Sequence, residues 1–201
     1  MTERSIAAYD VSQRVKMYDA DMELMHSKMV QIAIELLPFP KTADLRAIDL
    51  GIGTGYFTER FLNHFPNSRV LGIDGAQAMI ELAKPRLISL ASRVQFVIGD
   101  FRKLQELAPG AGTADVVFSA YALHHLSRPD KGRVLRQVVE LLVPGGSFVN
   151  ADLIVADCWL TGSAAVVPSL GRMRSSPISR NKATLGACVL SRGKITVNCN
   201  D

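Results

Sequence analysis

Three aspartates carry the first chemical signal in this chain. Asp49, Asp74 and Asp100 stand at or beside the ends of three short apolar runs, "RAIDLGI", "RVLGIDG" and "RVQFVIGD". Behind the first of them, "AIDLGIGTG" sets Gly51, Gly53 and Gly55 at alternate positions. A glycine-rich turn between a strand and a helix lets a ligand approach the backbone closely, with the helix N-terminus behind it. The dinucleotide fingerprint needs a small residue at position 56, which is Tyr56. No Lys-Ser or Lys-Thr follows the loop, so a P-loop is excluded.

Charge narrows the ligand further. A carboxylate just ahead of the loop opposes a pyrophosphate but suits a ligand bearing positive charge, such as an ammonium and a sulfonium. S-adenosylmethionine has both. Asp74, ending the second run, stands where an acid in nucleoside-binding α/β folds accepts from both ribose hydroxyls. Asp100 is the third acid in register. Open α/β sheets bind ligands at the carboxyl ends of their strands, and three successive acids there form a constellation.

These residues require a particular scaffold. The three runs, with "ADVVFSAYAL" and "GSFVNADLIV", are short, rich in Val, Ile and Phe, and lack sustained alternation, as strands buried on both faces of a parallel sheet do. Helices are predicted between them over 56–64, over 76–90 with Pro85 as a kink or stop, and over 130–143. The last is expected to start from an Asp130 cap and end at Pro144-Gly145-Gly146. Such alternation predicts a doubly wound, three-layer α/β fold. Ahead of it, Met22, Met25, Met29, Ile32, Ala33 and Leu36 recur at helical spacing until Pro38, as a core-facing stripe that could also roof a pocket.

Composition bounds the rest. With 201 residues, 48% of them apolar, the chain can bury one sizeable core, and one domain is expected. "MTERSIAAYD" lacks the apolar centre of a signal peptide, and no run approaches a membrane span, so a soluble cytoplasmic protein with no membrane association is expected. Cys158, Cys188 and Cys199 show neither CxxC nor CxxH spacing and read as free thiols, with no metal site. The formal charge of +4 is confined to residues 157–201, which hold six basic residues against two acidic, while residues 1–156 balance at 17 of each. A basic face on the folded part is therefore not implied, and nucleic acid is not the favoured partner. From about residue 157 the chain loses its aromatic residues after Trp159 and reads as linker. Only "ACVLSRGKITVNC" has the form of a hairpin.

Taken in order, "IDLGIGTG", "VLGIDGAQAMIELAK", "VIGDF", "SAYALHHL" and "LLVPGGSF" resemble the motifs of class I S-adenosylmethionine-dependent methyltransferases, over roughly residues 9–155. The resemblance implies a Rossmann-like, mainly parallel sheet within residues 1–156, with a helical lid over about 9–38. It implies that Gly51, Gly53 and Gly55 pass beneath the methionine part of the cofactor and that Asp49 helps hold that end. Asp74 would take the ribose hydroxyls, Met79 would line the adenine face, Asp100 would accept from the adenine amino group, and the Phe101 backbone would meet the ring. Ala120 and Tyr121 would sit beside the sulfonium. Transfer is an in-line displacement that positioning can accelerate, and a base helps only an acceptor that must lose a proton. His125, and after it His124, are the candidates for that base.

Absences bear on the acceptor. "SAYA" is not the Asn/Asp-Pro-Pro-aromatic signature of amino-directed nucleic-acid methyltransferases, and no Cys precedes position 158 to attack a pyrimidine. Neither a glutamate pair for an arginine clamp nor a carboxylate cluster for a divalent ion is evident. What remains resembles the group acting on small molecules, in which Tyr9, Tyr18 and Met22 would be lid or acceptor contacts. A subgroup that modifies wobble uridine in transfer RNA with a related donor is a lesser alternative. The tail also departs from the family pattern, which completes the sheet with an antiparallel strand pair. An incomplete C-terminal edge and association into a homodimer through exposed apolar surface are expected from this, and a truncated or non-catalytic S-adenosylmethionine-binding partner subunit is the alternative to an active enzyme.

Overall fold

The computed structural model describes residues 27–108, 110–155, 183–191 and 194–199. Tyr9, Tyr18, Met22 and Cys158 lie outside these residues. A helix, α1, covers residues 27–35. It buries Met29, Val30, Ala33 and Ile34, with Leu37 just beyond its end, whereas Ile32 and Leu36 are only partly buried. The apolar stripe is thus turned by about one residue from the expected one. This part of the expected lid is packed into the core.

Five parallel strands carry the sheet: β1 (Arg46–Leu50), β2 (Arg69–Asp74), β3 (Val94–Ile98), β4 (Ala114–Ala120) and β5 (Leu142–Val155). Between them run α2 (Tyr56–His64), α3 (Gln77–Arg86), the single turn α4 (Leu104–Leu107) and α5 (Arg128–Leu141). Two antiparallel strands follow, β6 (Ala183–Ser191) against β5 and β7 (Lys194–Cys199) against β6. The order is β3-β2-β1-β4-β5-β6-β7. The C-terminal edge expected to be incomplete is therefore extended by the hairpin anticipated from "ACVLSRGKITVNC".

Strand alternation sorts the core into two layers. Ala47, Val116, Phe118, Val149 and Ala151 face the cluster built with α1, α2 and α3. Ile48, Leu50, Val117 and Phe148 face the cluster built with Phe101, Leu104 and the Val134–Val138–Leu141 stripe of α5. Both faces being covered, the strands need no polar residues, which is why they read as near-continuous apolar runs. Phe118 anchors the first layer, with ring centroids 4.5 Å from Phe57 and 4.9 Å from Phe61.

Local signals corrected two expectations. Ser127, not Asp130, caps α5: its hydroxyl accepts from the Asp130 N–H at 3.3 Å, and Pro129 opens the helix where its missing N–H costs nothing. Pro144-Gly145-Gly146 does not stop the helix, which already ends at Leu141. These residues instead form an irregularity in β5, where pairing jumps from Ala114 with Leu142 to Val116 with Ser147. Pro85 does sit in the last turn of α3, and a 3₁₀ turn (Ile88–Arg93) follows. No described helix is long and apolar enough to cross a membrane.

The chain runs outward from β1 through β2 to β3, then returns to add β4 on the other side of β1. That reversal opens a crevice at the carboxyl ends of β1 and β4, the topological switch point where such sheets take ligands.

Candidate functional site

The glycine loop lies in this crevice. The N–H groups of Gly51 and Ile52 both donate to the Ile73 carbonyl, at 2.8 and 3.1 Å, which folds the loop back over the end of β2. Gly51, Gly53 and Gly55 all have positive φ, at 79°, 54° and 83°. Gly51 is doubly constrained, because a Cβ there would lie 2.5 Å from the Ala122 Cβ. The same hypothetical atom would be 3.7 Å from the Phe101 ring. The first glycine, Phe101 and the segment after β4 are therefore one packed unit.

Asp49 and Asp74 are buried behind the loop, 1% and 2% exposed. Asp49 accepts from the Thr58 hydroxyl of α2 at 2.7 Å. Asp74 accepts from the N–H groups of Gly53 and Ala76, each at 2.9 Å. All of these donors are neutral. Burial pushes the Asp49 carboxyl up to about 8, against the Thr58 hydrogen bond and with a further push from Asp74. Burial also raises Asp74, although the backbone donors oppose it. Two adjacent buried acids held in this way gain from a cation placed over the loop.

Asp100 differs from its two counterparts. It begins the 3₁₀ turn Phe101–Lys103 and accepts from the Arg102 N–H at 2.9 Å and from Nε at 2.6 Å, with Nη2 also in contact. Burial acts to raise it, yet the Arg102 contacts outweigh that and hold it below the usual carboxylate range. A carboxylate has about four acceptor sites, so one remains for a further donor. Met79 is buried in α3, and Phe101 is fully enclosed.

Beyond β4 the backbone is forced. Ala120 is half-buried, and Tyr121 is the one non-glycine among the described residues with positive φ, 50°. Its N–H donates to the Ala151 carbonyl at 3.0 Å, continuing the β4–β5 ladder. Such outliers cluster at functional sites. Burial, and then the charge of Asp152, raises the Tyr121 phenol. The 3₁₀ turn Leu123–His125 follows, and its two imidazoles lie 3.9 Å apart between centroids.

The two histidines are not equivalent. His124 engages Asp152 of β5 twice, through its backbone N–H at 3.0 Å and through Nδ1 at 2.7 Å. His125, the residue preferred from sequence, is pushed down to about 4 by burial and then by His124, with Asp152 opposing. Asp152 was not singled out from sequence. The signal available was another acid near the carboxyl end of an apolar run, "NADLIV", in line with Asp49, Asp74 and Asp100. The structure thus brings Asp49, Asp74, the three glycines, Phe101, Ala120, Tyr121 and the histidine turn to one end of the sheet.

Known proteins resemble this chain over the same region. Residues 47–146 match the model of a family described as a methyltransferase domain. The malonyl-[acyl-carrier protein] O-methyltransferase of Halalkalibacterium halodurans is 30% identical over 122 residues, 61% of this chain and 44% of that protein. The trans-aconitate 2-methyltransferase of Variovorax paradoxus is 30% identical over 120 residues, 60% of this chain and 42% of that protein. Among solved structures, an O-methyltransferase family protein from Burkholderia thailandensis superposes with a TM-score of 0.61 at 20% identity, over 74% of this chain and 44% of its own. The chain spans about half the length of the curated relatives it matches, 57% and 44% for two of them.

Proposed function

This chain belongs to the class I S-adenosylmethionine-dependent methyltransferases, and from that premise we propose that it binds S-adenosylmethionine at the β1–β4 crevice and transfers the methyl group to a small-molecule acceptor. One observation supports this most directly. Asp49 and Asp74, both buried and both bonded only to neutral donors in the contacts above, lie beside a glycine loop in which an added Cβ at Gly53 would meet nothing nearer than 3.9 Å. A ligand with an ammonium and a sulfonium supplies the missing positive charge, whereas a pyrophosphate would add to the repulsion.

In this reading Gly51, Gly53 and Gly55 carry the methionine portion and Asp49 attracts its ammonium. Asp74 meets the ribose hydroxyls with the acceptor sites its backbone bonds leave open. Met79 and the Phe101 backbone border the adenine, and the remaining Asp100 acceptor site takes its amino group. Ala120 and Tyr121 stand beside the sulfonium. The domain comprises residues 1–156.

The acceptor side is read from relatives and by exclusion. Two of the relatives are named for carboxylic acid acceptors, so small carboxylic acids are the first class to test. A carboxylate is already a nucleophile, and positioning alone can drive its displacement of the sulfonium. The experiment is a transfer assay with methyl-labelled donor and the full chain, offering trans-aconitate, a malonyl thioester, a small-molecule extract and total tRNA in separate arms. Label entering a small molecule supports the proposal. Label entering only tRNA, or none under conditions where the donor binds, overturns the acceptor class.

A further inference from the structure

We infer that Asp152 is a positioning residue that holds the His124 ring with Nδ1–H turned inward and Nε2 presented, as a proton acceptor, to the methyl-acceptor side of the crevice. This rests on the proposed methyl transfer and deepens it, for it names which histidine serves the acceptor and what aims it.

Three observations carry it. First, Asp152 is 1% exposed and meets His124 with both oxygens, Oδ2 to the backbone N–H and Oδ1 to the ring Nδ1 at 2.7 Å. A cap for the 3₁₀ turn needs only the first bond. The second joins an acceptor-only carboxylate to an imidazole nitrogen, which in the neutral ring puts the proton on Nδ1 and leaves Nε2 its lone pair. Second, the His124 side chain keeps 29% of its surface while its partner keeps 1%, so one face of the ring is fixed and the other is open. Third, the turn is joined to the donor side. Ala122 caps it, and Ala122 is the residue on which a Cβ at Gly51 would collide. The histidine turn and the loop proposed to carry the donor are in contact, as a proton acceptor next to a transferring methyl requires.

The other groups around the ring are consistent with one proton acceptor. Among the described residues these are Asp152, His125 stacked at 3.9 Å, and Tyr121, which the Asp152 charge reaches. His125 is neutral near pH 7 because burial and His124 hold it down to about 4. Tyr121 keeps its proton. The step balances simply: the acceptor's lone pair forms the bond to the methyl carbon as the carbon–sulfur pair returns to sulfur, and the acceptor's proton moves to His124 Nε2 and then to solvent. An acceptor hydroxyl, amine or thiol uses this step, whereas a carboxylate has no proton to lose and does not need it.

The test needs no acceptor. The full chain carrying ¹⁵N-labelled histidine is titrated by NMR, His124 being assigned through His124→Gln among the four histidines. The ligand-free protein should show His124 as the Nδ1–H form. S-adenosylmethionine and S-adenosylhomocysteine should each move the His124 ring resonances, because the histidine turn meets the glycine loop through Ala122. Asp152→Asn should keep donor affinity within about threefold while the ring loses the Nδ1–H preference. An Nε2–H form in the wild-type protein, or His124 ring resonances unmoved by ligands that do move the amides of Gly51, Gly53 and Gly55, overturns the inference without recourse to the variant. Failure of the underlying reading looks different: the amides of Gly51, Gly53 and Gly55 would then be unmoved by either ligand.

Discussion

The two ends of one sheet are built on opposite electrostatic plans. At the amino end, β1 and β4 are joined by Arg46 and Asp115, whose carboxylate accepts from the Arg46 backbone N–H at 2.8 Å, from Nε at 3.0 Å and from Nη2 at 3.3 Å. Partial burial raises Asp115 somewhat, but the Arg46 contacts prevail and its carboxyl lies below the usual range. At the carboxyl end of the same two strands, Asp49 is buried with a hydroxyl for a partner and pushed up to about 8. There too lie the three positive-φ glycines of the loop and Tyr121. One end is complete as it stands. The other carries a desolvation that the fold alone does not relieve and a cation would, beside a strained backbone at Tyr121.

That contrast can be broken at the glycines. Gly51→Val should lower S-adenosylmethionine affinity about 100-fold or more by calorimetry, because the left-handed backbone costs a β-branched residue at least ~1–2 kcal/mol and the Ala122 contact must also give. Gly112 is the control, with φ of +65° and nothing within 4 Å of an added Cβ. Gly112→Ala should cost about 1 kcal/mol of stability in a denaturant melt and leave affinity unchanged. Equal losses of affinity at both sites would mean that strain, not the site, governs binding.

The next effect separates stability from binding at Asp49. Its folded pKa lies above the unfolded value near 3.9, so the stability it contributes is full below that value and is lost as pH rises through about 8. Asp49→Asn removes the loss. Above pH 8 the ligand-free variant should melt higher than the parent, by roughly 5 °C, yet bind S-adenosylmethionine about tenfold or more weakly. A variant that melts lower and binds equally well would show that the acid serves the fold.

The smallest effect belongs to the amino end. Asp115→Asn leaves an exposed arginine with one weakened pair and should cost about 0.5–1 kcal/mol in a denaturant melt, with donor affinity unchanged. Should it weaken binding as much as Asp49→Asn does, the two ends are not independent.

Much of this contrast was legible in the residues because it rests on short-range patterns. Runs such as "RAIDLGI" mark doubly buried strands, and the spacing of Gly51, Gly53 and Gly55 marks the loop. What was not legible depends on which strands become neighbours. The bond between His124 and Asp152 exists because β4 lies beside β5, so that residues 28 apart in sequence meet, and no local pattern encodes that. Likewise Arg102 folds back onto Asp100, changing an acid expected to be open into one largely satisfied. Competition between near-equal signals explains the smaller misses. Ser127 and Asp130 are both good caps, and Pro129 decides for Ser127 because it suits the first turn of a helix.

In the proposed site, the carboxyl end of β1 and β4 holds buried acids with neutral partners ready for a cationic donor. Calorimetry of S-adenosylmethionine with the full chain in buffers of different ionisation enthalpy tests it most directly. With Asp49 at about 8, most chains are protonated there at pH 7, so binding should release up to about one proton, and affinity should rise between roughly pH 6.5 and 8.5. Binding with no proton released and no rise with pH, or no binding to ~500 μM, a weakness of about −4.5 kcal/mol, would contradict the account.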